Sequence, residues 1–85
     1  MDTSRIELLK KIRIKMSEWK KVKESKRIES YTVEECNLLK EINALILRYN
    51  DIGTKKLERT KMSYTPKQIS SIIDLVNEYI RMESK

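Results

Sequence analysis

"SYTPKQ", residues 63–68, and "SYTVEE", residues 30–35, are the two stretches on which the fold turns. Thr65 stands three residues before Gln68, and Thr32 stands three residues before Glu35. That spacing is a capping box: the Thr oxygen accepts from the N3 amide while the N3 side chain reaches back to the cap amide. Pro66 occupies the first helical position, where its missing N–H costs nothing and its φ is already helical. Tyr31 and Tyr64 fall at N′, with Cys36 and Ile69 at N4, the spacing of a hydrophobic staple. The near-repeat therefore marks two helix starts, not a duplicated functional motif.

Working outward from these starts, apolar spacing predicts three helices. In the first, Ile6, Leu9, Ile12, Met16 and Trp19 recur at helical intervals, and Thr3 or Ser4 can cap it. In the second, Cys36, Leu39, Ile42, Ile46 and Tyr49 form a seam that Leu38, Leu45 and Ile52 widen on one side. A stripe that broad suits a helix with two neighbours. Gly53 follows Asn50 and Asp51, which is helix-ending chemistry, and apolar periodicity fades after Ile52, so a break or kink is expected there. The third helix runs from Pro66 with Ile69, Ile72, Ile73, Val76, Tyr79 and Ile80 on one stripe.

The expected fold is all-α. It is a small three-helix bundle with helices over about 4–27, 33–52 and 66–82, in one domain spanning 1–85. One Gly and one Pro argue against an all-β or loop-rich chain. The stripe of the first helix is narrow, close to a coiled-coil seam. Trp19 on this stripe reads first as core packing, with an interface anchor as the alternative; together with Leu9, Ile12 and Met16 it forms the candidate partner interface, and a homodimer through the first helix would complete a core that 85 residues leave small.

The chemistry that is missing bounds the function. Without His there is no Ser–His or Cys–His nucleophile, and the commonest transition-metal ligand is gone. One Cys and no His leave no zinc set, and one Gly excludes Gly-rich phosphate loops. Glu34 and Glu35 lie in a first helical turn, where carboxylates suit the helix dipole. Cys36 reads as a small buried hydrophobe. No catalytic residue, metal or cofactor is implied, and no enzymatic activity is expected. A lone Cys, scattered charges in "MDTSRIELLKKIR" and no run near about 18 apolar residues point to the cytoplasm and to no membrane span.

The net charge is +6, and the whole excess lies in residues 1–28, which hold ten basic and four acidic side chains. Such asymmetry suggests an acidic or polyanionic partner. The basic residues that would meet it are Lys10, Lys11, Arg13, Lys20, Lys21 and Lys23 on the first helix, and Lys55, Lys56, Arg59 and Lys61 further on. The reading placed first is a non-enzymatic adaptor or inhibitor that docks amphipathic helices on another protein with an acidic or grooved surface. The alternative is a nucleic-acid-binding accessory protein whose basic first helix tracks the phosphate backbone. It ranks second because the cations are spread around the helix and not gathered in one track. A membrane-surface role for the first helix ranks third, weakened by Glu7, Glu18 and Glu24.

Overall fold

The computed structural model describes residues 3–25, 33–53 and 55–84. They form three helices: α1 (Thr3–Ser25), α2 (Val33–Asp51) and α3 (Pro66–Glu83), with no strand among the described residues. Thr3 and Ser4 both lie inside α1, so neither is its cap; the residue before Thr3, like Thr32 and Tyr31, lies outside the described residues. The capping box at α3 is formed in full. The Gln68 amide donates to Thr65 Oγ1 at 3.2 Å, and Gln68 Oε1 accepts from the Thr65 amide at 2.8 Å.

The molecule is an all-α three-helix bundle, 45 × 19 × 16 Å, in which α1 packs against both α2 and α3. Polar pairs give the directions. Lys15 meets Glu41 and Trp19 meets Glu35, so α2 runs antiparallel to α1. Arg5 meets Glu83 and Arg13 meets Asn77, so α3 also runs antiparallel to α1. Helices α2 and α3 are therefore parallel to each other. The chain must travel the length of the bundle between them, and it does so as an extended strap.

This strap, residues 55–65, lies along α2 and is held by two asparagines. Asn50 makes a two-way pair with the backbone of Leu57: its Nδ2 donates to the Leu57 carbonyl at 2.9 Å, and its Oδ1 accepts from the Leu57 amide at 2.9 Å. One strap step on, Asn43 Oδ1 accepts from both the Thr60 amide and the Thr60 hydroxyl at 2.8 Å. The registers match by simple geometry. Seven helical residues rise about 10.5 Å, and three extended residues span about 10 Å. Two asparagines at i and i+7 thus replace a neighbouring strand for a segment whose amides would otherwise be buried unpaired. Leu57 and Thr60 are buried beneath. Tyr79 of α3 donates its hydroxyl to the Lys56 carbonyl and stacks on Tyr49 of α2 at 6.4 Å, so the strap is wedged between the two parallel helices.

The core explains what became of the α1 seam. Leu9, Ile12, Met16 and Trp19 are all fully buried, packed with Ile42, Ile46, Tyr49, Ile69 and Val76. Each such aliphatic side chain contributes about 1.5–3 kcal/mol of burial. The sequence reading that offers these four residues to a partner is corrected here: α2, the strap and α3 of the same chain already cover them. The buried face is wider than the seam itself, since Leu8 joins the core and Val22 packs against it. Cys36 is also corrected, being exposed and outside the core; on a helix wheel it sits off the α2 seam, away from α1.

Each end of the bundle is closed by a polar cluster. At one end Trp19 Nε1 donates to Glu35 Oε2 at 3.0 Å, and Lys23 Nζ lies 3.1 Å from the same oxygen while also donating to the Met62 carbonyl. Glu35 is fully buried. At the other end Arg5 donates to Glu83 at 2.8 Å and to the Tyr49 hydroxyl at 3.1 Å. Burial raises the Tyr49 phenol above its usual range, with Arg5 opposing. Helix α2 breaks after Asp51 as expected, but not through a left-handed glycine: among the described residues none has positive φ. Gly53 is needed for a close approach. A Cβ there would stand 1.1 Å from Arg5 Nη1, on a guanidinium pinned by Glu83 and Tyr49.

Candidate docking surface

With one side of the α1–α2 pair covered by α3 and the strap, the opposite side is left open. There the two helices leave a groove of about 360 Å³ lined by Lys11, Ile14 and Lys15 from α1 and Glu41, Ala44, Leu45 and Arg48 from α2. Its floor is aliphatic. Ile14 is 55% exposed, Ala44 is exposed and Leu45 is half-buried. Its rim is cationic, with Lys11, Lys15 and Arg48 set against Glu41, and Lys15 engages Glu41 at 3.3 Å.

Ala44 also lines a second groove of about 290 Å³, between α2 and the strap, with Asn43, Ile46, Leu47, Asn50 and Arg59. Leu47 is 64% exposed on its edge. The two grooves therefore share the small side chain of Ala44 as a low ridge. Together they make one open face, with Ile14 from α1 and Ala44, Leu45 and Leu47 from α2 as its apolar elements. An apolar floor with a few convergent charges is the usual character of a binding surface.

The predicted basic residues are dispersed over the molecule. Lys23 is taken up inside the fold by Glu35 and Met62, so it is withdrawn as a phosphate contact. Arg13 donates to Asn77 at 2.9 Å, tying α1 to α3. Lys20 and Lys21 line a polar groove against α3 with Glu24 and Asp74, and Lys20 lies 3.7 Å from Glu24, so cations and carboxylates balance there. Lys10 and Lys11 are exposed on α1. On the strap, Lys55 sits 5.9 Å from the Tyr79 ring centroid and Lys56 donates to the Asn50 carbonyl, leaving Arg59 and Lys61 exposed. The structure thus does not gather the ten into one track.

Sequence reasoning passes over Ile14, Ala44 and Leu47 because each stands alone outside the apolar stripe of its helix. Their phase relative to those stripes is the one signal that could single them out: they lie where a two-sided helix pair would show its second face. Among the described residues no group of three His, Cys, Asp or Glu side chains is placed to hold a metal ion, and no helix is long and apolar enough to cross a membrane. No protein-family model, curated protein or solved structure matches this chain.

Proposed function

We propose that this protein is a non-enzymatic protein-docking module whose contact surface is the open α1–α2 face. The single observation behind this reading is an aliphatic groove rimmed by cations on the side of the hairpin that α3 and the strap leave uncovered. Exposed apolar side chains scattered singly need no explanation, but contiguous ones along a helix pair mark a contact surface. The anchors move from the buried seam of α1 to Ile14, Ala44, Leu45 and Leu47.

Nucleic-acid binding is the second reading, favoured by the strap, where Lys56, Arg59 and Lys61 are exposed with Glu58 as the one acid among them. Affinity capture separates the two. Capture with wild type, with Ile14→Asp and with Lys56→Gln/Arg59→Gln/Lys61→Gln is compared with and without nuclease. Protein docking gives a captured protein that resists nuclease and is lost with Ile14→Asp. Nucleic-acid binding gives nuclease-sensitive capture that the strap variant abolishes, with affinity falling log-linearly with salt.

A further inference from the structure

Resting on the docking reading above, we infer that the occupant of the open face is an acidic amphipathic helix from another protein. Three features of the face select it. The first is charge. Lys15 and Glu41 pair at 3.3 Å, which leaves Lys11 and Arg48 as the cations that rim one groove and Arg59 as the cation beside the other. A partner approaching the face meets an excess of positive charge on both sides of an apolar floor, which favours Asp and Glu at the partner's rim.

The second is length. The lining of α2 runs from Glu41 to Arg48, seven residues and about 10.5 Å along the axis. Two turns of a docking helix cover that distance, so apolar anchors at i, i+4 and i+7 would meet the floor in register. The third is relief. Ala44 is the ridge common to both grooves, and its small side chain lets a helix backbone approach closely while its anchors fall to either side.

The same features disfavour other occupants. A second copy of the chain meeting this face across a two-fold axis would set Lys11, Lys15, Arg48 and Arg59 against themselves. A phosphate backbone has no use for an aliphatic floor. An anionic bilayer takes up one continuous apolar face, and here the apolar side chains are divided between two grooves on either side of Ala44.

The test is a selection of random 16-residue peptides on the whole protein, followed by affinity measurement of the enriched peptides on variants. The expected result is enrichment of sequences with Leu, Ile, Met or Phe at helical spacing and an excess of Asp and Glu. Their binding should fall at least tenfold with Ile14→Asp and about tenfold, about 1.4 kcal/mol, with the paired reversal Lys11→Glu/Arg48→Glu. Enriched peptides that need Ile14 but are neutral or basic, or that ignore the charge reversal, overturn the acidic helix and leave protein docking standing. Enriched peptides that bind wild type and Ile14→Asp equally overturn both. Two further arms name the competing occupants. Sedimentation of the protein with phosphatidylserine vesicles, lost with Ile14→Asp, would replace the helix by a bilayer. Dimerisation in equilibrium sedimentation, lost with Ile14→Asp, would replace it by a second copy.

Discussion

The two sides of α2 are built from similar residues and come to opposite ends. Toward α3 and the strap, Ile42, Ile46 and Tyr49 are fully buried, and Asn43 and Asn50 are spent on backbone groups of the strap. On the outward side of α2, Ala44 and Leu47 stay exposed, Leu47 at the edge of the groove beside the strap, with Arg48 and Glu41 nearby. Both sides carry aliphatic and polar side chains. What differs is whether the chain itself supplies a cover. On the covered side the buried polar side chains find partners within the fold: Glu35 meets Trp19 and Lys23, and Arg5 meets Glu83 and Tyr49. On the open side the cations face solvent over an apolar floor. The lesson is that polarity does not distinguish a structural face from a binding face; the partners of the polar groups do.

Substitutions on the two sides should therefore separate, and the largest effect belongs to the covered one. Trp19→Ala removes the largest buried side chain and a donor to Glu35. It should cost about 3–5 kcal/mol in chemical denaturation. A small loss accompanied by weakened self-association would instead restore Trp19 to the partner interface that the narrow α1 stripe suggests.

Asn50→Ala comes next. It deletes both bonds to Leu57 and leaves a part-buried amide and carbonyl to find water. The expected loss is about 2 kcal/mol, with faster amide exchange at Leu57 and Thr60. Exchange that stays slow would show that the strap is held by the burial of Leu57 alone.

Thr65→Ala is smaller, because the capping box is exposed. Denaturation should report a loss of about 1 kcal/mol. Unchanged stability together with impaired docking would turn the "SYT" repeat from a helix start into a contact motif.

The legibility of these features follows their range along the chain. The start of α3 could be read because Thr65, Pro66, Gln68, Tyr64 and Ile69 act on one another within five positions. The bundle could be read because helical periodicity is local to each helix. The α1 seam was legible as a buried stripe, but periodicity says that a stripe is covered and not by what, so Leu9, Ile12, Met16 and Trp19 went to a partner instead of to α2 and α3. The strap was not legible at all. Asn43 and Asn50 look like ordinary polar residues of a helix, and their partners Leu57 and Thr60 are selected only by the match of helix rise to strand rise. Gly53 was legible as a break, while its closest neighbour, Arg5, is almost fifty residues away. Glu35 illustrates the limit on local reading most clearly: spacing places it in a cap with Thr32, which lies outside the described residues, and says nothing of its contacts with Trp19 and Lys23 in the interior. The open face escaped because Ile14, Ala44 and Leu47 become neighbours only when two helices are set side by side.

The smallest expected effect on stability is also the sharpest test of function. Ile14→Asp places a carboxylate at a half-exposed position that makes no part of the core. The measurement is its unfolding midpoint and its affinity for a selected acidic peptide, taken on one preparation beside wild type. The account predicts a midpoint within about 0.5 kcal/mol of wild type and at least a tenfold loss of peptide binding. A large fall in stability would make the open face part of the core, and unchanged binding would remove it as the docking surface.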